Sequence, residues 1–334
     1  MKHAPSVMVP GNKEGVIRYL EDEEDCNLDI ESFRTPQDLV RKLSDRELEW
    51  VASDDYLPNL RLLAKLQGKL RVKTSAYCGV FFGLRALSGA GFAQESGRMI
   101  SVASSLLPWR IITWEYRQLL QRVTCRVAMS RYADTMLSEL YGVTAHGIVS
   151  PILAPAFRSY DLSAGIMRDS AVFYSGNLNE SGAAERFLKD HLEVCDRYGL
   201  KPLVLGSPPR HLSRNVATIV RGCSDSELAQ LYARASWVFT PQPWEAFGYV
   251  GPEALSCGSE AVLVRYQPWI EALGQDYVPP IIGASRGALS RWYNSQTPST
   301  ERSLARFRRA ELIRKAFGPE ESAQKFLAYL QSAV

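Results

Sequence analysis

Two acidic residues stand out by type and spacing. Glu245 and Glu253 lie eight residues apart in Trp244-Glu-Ala-Phe-Gly-Tyr-Val-Gly-Pro-Glu253. A carboxylate accepts hydrogen bonds from hydroxyls and can hold two neighbouring hydroxyls at once. The pair therefore suits two parts of one extended, hydroxyl-bearing ligand. Two plainer roles compete with this one: Glu253 as the complement of a helix dipole and Glu245 as a solvated loop charge. Spacing alone favours the plainer roles.

The elements around the pair change the balance. A strand is expected over Trp237–Thr240, then a loop holding Pro241, Pro243 and Phe247-Gly-Tyr249, then a helix from about Gly251. Pro252 suits a first helical position and Gly258 the left-handed residue after the last turn. In doubly wound folds ligands bind at the carboxyl edge of the sheet, where amides at a helix start favour an anion such as a diphosphate. Upstream, Ser224-Asp-Ser-Glu227 reads as a capping box that opens a helix at Asp225. Leu228, Leu231, Tyr232 and Ala235 follow at helical spacing as its apolar face. A ligand with a diphosphate and vicinal hydroxyls, such as a nucleotide-sugar, fits this edge.

The rest of the chain repeats the strand and helix alternation that marks a parallel sheet wrapped by helices. In the first half, strands are expected at Ser6–Val9, Leu28–Glu31, Leu48–Ala52, Leu70–Thr74 and Arg126–Ala128, with helices at Pro36–Leu43, Leu57–Leu66 and Thr113–Val123. From Ser150 to Ser163 the period lapses among prolines and small residues, which places a junction there. The second half resumes with strands at Ala171–Tyr174, Pro202–Leu205 and Ala261–Val264 and a helix over Ala183–Tyr198. Two Rossmann-like α/β domains are the expectation.

Composition agrees with a globular chain. Its 334 residues exceed the usual size of one core, and 46% hydrophobic with 22% charged residues excludes disorder. A formal charge of +3 gives no case for nucleic acid by itself. The six cysteines are scattered, with no Cys-x-x-Cys pair and no His at ligand spacing, so no metal site or disulfide framework is indicated. No signal-peptide core and no run near the roughly 20 apolar residues of a spanning helix is seen. The expected setting is cytoplasmic, at most peripheral to the inner face of the membrane.

The stretch Ser224 to Gly258 resembles the donor-binding core of family 4 retaining glycosyltransferases, which have the GT-B fold and an E-x7-E motif. Weaker similarity extends to Val172-Phe-Tyr-Ser-Gly-Asn-Leu178, to Arg126-Val-Ala-Met-Ser130 and to the tail from Phe317 to Tyr329. The resemblance implies two Rossmann-like domains facing a central cleft. Residues 1–158 would bind the acceptor, residues 159–316 the donor, and residues 317–334 would form a helix returning to the first domain. It implies a hexosyltransferase-like enzyme that moves a sugar from a nucleotide-diphosphate-sugar to an acceptor hydroxyl with retention, with no metal or other cofactor. Glu245 would be the catalytic-site residue at the donor sugar. The amides of Phe247, Gly248 and Tyr249 would contact sugar and diphosphate, Glu253 the ribose, and the Arg221–Ser224 loop, with Cys223, the base. In such a front-face reaction the donor phosphate takes the acceptor proton, and catalysis rests on positioning and leaving-group stabilisation.

The chain also departs from that family. An Arg and a Lys that neutralise the donor diphosphate are replaced, after Gly176, by Asn177 and Ser181. Arg210, in Gly206-Ser-Pro-Pro-Arg210, and Lys13, in the loop Gly11 to Gly15, are the candidate substitutes, each with a solvated surface residue as its plainer role. Glu260 stands where a Pro is usual. The strand end Thr74-Ser-Ala-Tyr-Cys78 lacks the family's His, and the four histidines take structural readings, His191 as a surface or packing residue. A second hypothesis follows: a weakened GT-B module that binds a nucleotide or scaffolds an active partner. A GT-A enzyme would carry Asp-x-Asp and a nicotinamide dehydrogenase G-x-G-x-x-G, and neither motif occurs. The acceptor stays open among saccharides, lipid-linked acceptors, small aglycones and modified nucleic acid. Apolar and basic residues mix from Ile100 to Arg122, Leu106 to Trp114 included, which suggests a lipid-linked acceptor at a membrane surface or, more plainly, a buried strand and helix. Oligomeric state has no signature.

Overall fold

A computed structural model describes residues 6–10, 29–33, 50–55, 57–70, 72–79, 107–163, 167–175, 182–206, 218–242, 245, 247–295 and 299–333. They form two compact units. One joins the described residues up to Ile152 with Phe317 onward, and the other runs from Leu153 to Ala316.

The first unit is built on six parallel strands: β1 (Ser6–Pro10), β2 (Asp29–Phe33), β3 (Trp50–Asp54), β4 (Lys73–Cys78), β5 (Cys125–Ala128) and β6 (Gly147–Ile148), in the order β2-β1-β3-β4-β5-β6. Trp50, Val51, Ala52, Ala76, Tyr77 and Cys78 are buried, as continuous apolar runs in a sheet covered on both faces require. Helix α1 (Leu57–Leu70) buries Leu60, Leu63 and Leu66, and α2 (Leu107–Arg122) buries Tyr116, Leu119 and Leu120. Helix α3 (Arg131–Tyr141) starts on the Ser130 hydroxyl, which accepts from the Ala133 N–H at 3.0 Å, and stops at left-handed Gly142. The C-terminal helix Pro319–Ser332 packs in this unit. Ser322 Oγ donates to the Ser150 carbonyl at 3.0 Å, and the Tyr329 ring fills the space where a Cβ on Gly147 would stand.

Of the buried strand and helix expected within Ile100–Arg122, residues 100–106 lie outside the described residues, the helix is present, and its full burial is corrected. From Leu107 onward the segment is helix throughout, and Ile111 and Trp114 face outward. Tyr116, Leu119 and Leu120 supply the inward face, so a helical period wins over a short apolar run. The helix expected at Pro36–Leu43 lies outside the described residues.

The second unit holds a five-stranded parallel sheet of β7 (Ser170–Tyr174), β8 (Lys201–Leu205), β9 (Thr218–Val220), β10 (Ala235–Thr240) and β11 (Glu260–Leu263), in the order β11-β10-β7-β8-β9. The chain winds from β7 to β8 and β9 on one side, then to β10 and β11 on the other. The topological switch therefore falls between β7 and β10, where doubly wound folds open a crevice at the carboxyl edge. Helices α4 (Gly182–Tyr198), α5 (Asp225–Arg234), α6 (Val250–Ser256), α7 (Ala288–Asn294) and α8 (Ser299–Ala316) complete the unit. The junction segment, read as irregular from its prolines, includes a single helical turn at Pro155–Arg158.

An aromatic core anchors this sheet. Phe239 meets Phe173 and Phe187 edge-on at ring-centre distances of 5.8 and 5.9 Å. The His191 ring lies 5.8 Å from Phe173 and 6.2 Å from Trp237. Fully buried, it is a packing residue, and burial pulls its pKa down to about 3, so the imidazole is neutral. Glu260, which replaces the proline usual in the resembling family, accepts hydrogen bonds from Tyr277 and Arg309 and so ties α8 to the start of β11.

Candidate functional site

The α5 capping box forms as its sequence dictates. Ser224 Oγ accepts from the Glu227 N–H at 3.3 Å, and Glu227 Oε2 accepts from the Ser224 N–H at 2.7 Å. The buried face of α5 is centred on Ala229, Tyr232 and Ala233 rather than on the expected Leu228 and Leu231, which are half-buried. Ala235, expected on the same face, is already the first residue of β10. The helix thus turns Tyr232 inward toward α6.

Between β10 and α6 the backbone is fitted against the segment 267–269. Trp269 is fully buried, its N–H donates to the Phe247 carbonyl at 3.2 Å, and its indole N–H donates to Gln267 Oε1 at 2.8 Å. Gln267 Nε2 donates in turn to Thr240 Oγ1 at 3.3 Å, at the end of β10. This chain of contacts leaves no room for side chains at two glycines. A Cβ on Gly248 would stand 2.6 Å from Gln267 Oε1, and one on Gly251 would stand 2.7 Å from the Trp269 ring. Gly248 also adopts φ +91°, a conformation L side chains rarely take. The Phe247 ring is buried and meets Tyr249 edge-on at 5.2 Å.

The turn so held places Glu245 before α6 and Glu253 within its first turn, both half-buried. Helix α6 begins at Val250, one residue ahead of the expected start, so Pro252 is its third residue, and no side chain caps it. Gly258 takes φ +76° after the last turn, as expected. Burial pushes the Glu245 carboxyl up to about 7, a value at which it is divided between acid and carboxylate at neutral pH.

Tyr174 ends β7 at the same edge of the sheet. Burial, then the Glu245 charge and the Glu253 charge, push its phenol up to about 12, which places it within electrostatic reach of both. Tyr232 is raised well above its ordinary value by burial, and Glu253, Tyr174, Cys257 and Cys223 add to that rise. Across the switch point, Gln242 Nε2 donates to the Ser175 carbonyl at 3.1 Å and joins the ends of β10 and β7. Glu245, Glu253, Tyr174, Tyr232 and Cys223, a half-exposed thiol, therefore gather around one carboxyl edge. Among the described residues, no three His, Cys, Asp or Glu side chains come together as metal ligands.

Of the residues singled out in the sequence, Gly11, Lys13, Gly176, Asn177, Ser181 and Arg210 lie outside the described residues. Sequence reasoning missed Tyr174, Gln242, Gln267 and Trp269. Tyr174 was open to discovery as the last residue of a strand expected to end at the ligand edge. Gln267 and Trp269 carry no such signal, because their contacts with Gly248 and Gly251 are made only by folding.

No family model matches the chain, and no curated protein matches it at a significant level. Solved structures do match over nearly its whole length. A sucrose-phosphate synthase from Thermosynechococcus elongatus superposes with a TM-score of 0.68 at 13% identity, covering 98% of both chains. HepE of Anabaena, crystallised with UDP and glucose, gives a TM-score of 0.62 at 12% identity over 98% of this chain and all of its own. An OtsA structure without ligand gives 0.61 at 12% identity, over 98% of this chain and 99% of that one. With its two parallel α/β sheets, the chain has the GT-B fold.

Proposed function

We propose that the chain is a glycosyltransferase that takes a sugar from a nucleotide-diphosphate-sugar. What supports this is that the segment carrying Glu245 and Glu253 leaves β10 at the β7–β10 switch point, where Gln242 joins the two strand ends. HepE, a structure of similar fold, was crystallised with UDP-glucose. In this reading Glu253 holds the ribose hydroxyls and Glu245 the donor sugar. The amides of the Phe247–Tyr249 turn meet the sugar and diphosphate, and Cys223 lies beside the base. The remaining donor-binding residues of this reading are those taken from the sequence, Gly11, Gly176, Asn177 and Ser181, with Lys13 or Arg210 as the candidate cation for the diphosphate. The second unit is the donor-binding unit and the first the acceptor-binding unit.

The chemistry asked of these residues is positional. Transfer is family 4-like, with retention and without a metal: the acceptor oxygen bonds to the anomeric carbon, the bond to the diphosphate breaks, and the acceptor proton passes to the departing phosphate. A Glu245 group near neutral pKa orients a sugar hydroxyl either as acceptor or as donor.

The test is thermal shift with UDP, UDP-glucose and other nucleotide-sugars, followed by donor hydrolysis and transfer assays, on wild type and Glu253→Ala. A ligand that binds the native state raises its melting temperature. One donor or its nucleoside diphosphate should stabilise the wild type and not the variant. If no nucleotide stabilises it, the donor site is elsewhere or absent, and stabilisation without turnover favours the weakened module.

A further inference from the structure

Helix α2 of the first unit turns two large apolar side chains outward one helical turn apart. Ile111 is 60% exposed and Trp114 is 63% exposed. Scattered exposed apolar residues are ordinary, but a tryptophan paired with an isoleucine on one helix face is a coherent patch. The charges on α1 and α2 are mostly basic. Lys65 on α1 and Arg117 and Arg122 on α2 are exposed. Glu115 is the single carboxylate in the sequences of both helices. Arg61 grips it with two hydrogen bonds of 2.7 and 2.9 Å, so this acid is already neutralised by its neighbour.

We propose that the α1–α2 face docks onto an anionic lipid bilayer, with Ile111 and Trp114 entering the interfacial layer and Lys65, Arg117 and Arg122 meeting the lipid phosphates. Tryptophan is at home at the boundary of headgroup and acyl chain, and basic residues beside an apolar patch add attraction to anionic lipid. A second copy of this chain is the poorer occupant. A two-fold contact would set this mostly basic face against a second copy of itself. The contact is peripheral, since no helix among the described residues is long and apolar enough to cross a membrane. It does not depend on the donor site proposed above.

The experiment is co-sedimentation of the full chain with vesicles of phosphatidylcholine alone and of phosphatidylcholine mixed with phosphatidylglycerol. Wild type should pellet with the mixed vesicles, weakly with the neutral ones, and less as salt is raised. The double variant Ile111→Ser/Trp114→Ser should lose about tenfold or more in partitioning. Lys65→Glu/Arg122→Glu, exposed on both helices, should lose it as well while melting like wild type. Leu304→Ser/Phe307→Ser, which removes another exposed apolar pair on α8 of the second unit, should bind as wild type does. The proposal is overturned if wild type does not bind, if neutral vesicles bind as strongly, or if the α8 variant alone loses binding. A wild-type dimer on gel filtration that Ile111→Ser/Trp114→Ser dissociates would assign the patch to self-association and overturn it equally.

Discussion

The aromatic core of the second unit buries an ionisable side chain and the carboxyl edge of its sheet half-buries another, and the two differ in what surrounds them. His191 sits among Phe173, Trp237 and Cys195, and burial drives it to the neutral form with a pKa of about 3. Glu245 is raised to about 7 by the same cause, but it lies at the switch point, within reach of Tyr174 and in the loop before the helix that carries Glu253. A shifted pKa therefore does not distinguish a packing residue from a ligand-binding one. What distinguishes them is whether strand ends, a tight turn and further polar groups converge at the same place.

Four measurements would break or sharpen that contrast, beginning with the largest effect. Trp269→Ala removes the buried indole beneath Gly248 and Gly251. It should destabilise the second unit by about 3–5 kcal/mol in denaturant titration and abolish nucleotide binding, because the turn before Glu253 loses its support. An equally stable variant would mean that the edge is not held from below.

His191 supplies the core's own signature. Its folded pKa, about 3, lies below its ordinary 6.5, so the unfolded chain binds the proton first, and stability falls as pH drops below 6.5. The loss should be about 2–3 kcal/mol between pH 6.5 and pH 4.5, and smaller in His191→Leu over the same window. Nucleotide binding at pH 7.5 should be unchanged in a folded His191 variant, and a selective loss would break the contrast.

Glu245 should behave with the opposite sign. Its folded pKa, about 7, exceeds the ordinary 4.5, so the folded state takes up a proton between those values. Its ionisation is then a stability cost that grows through this window and is complete above it. Glu245→Gln should therefore melt higher at pH 8, by on the order of 1–3 kcal/mol, and show no gain at pH 4. Transfer activity should fall in the same variant, and a gain in stability without any loss of activity would make Glu245 a buried bystander. The smallest effect is Ser224→Ala, which removes one half of the α5 capping box and should cost about 1 kcal/mol in chemical denaturation, with donor affinity nearly unchanged.

Much of this architecture was legible before folding was considered. The strand and helix alternation anticipated five of the first unit's six strands and four of the second unit's five, with ends displaced by a residue or a few. Thr218–Val220 was missed because three residues at a sheet edge carry too little period to register. Gly147–Ile148 is shorter still. The outward face of α2 was misjudged because its apolar residues exceed what one buried stripe can hold, so composition pointed inward while geometry turned Ile111 and Trp114 out.

The sequence by itself determined the local chemistry. It specified the capping box at Ser224 and Glu227, the left-handed glycine at Gly258, the alternation that makes a parallel sheet, and the spacing of Glu245 and Glu253, because each depends on residues close together along the chain. Tertiary structure alone decided that the charges of both glutamates act on Tyr174, that Gln242 ties β10 to β7, that Gln267 and Trp269 leave only glycine room at positions 248 and 251, and that His191 is locked in a core. Those contacts join segments tens of residues apart. No local pattern encodes them, since they arise only when the winding of the sheet brings its strand ends to one edge.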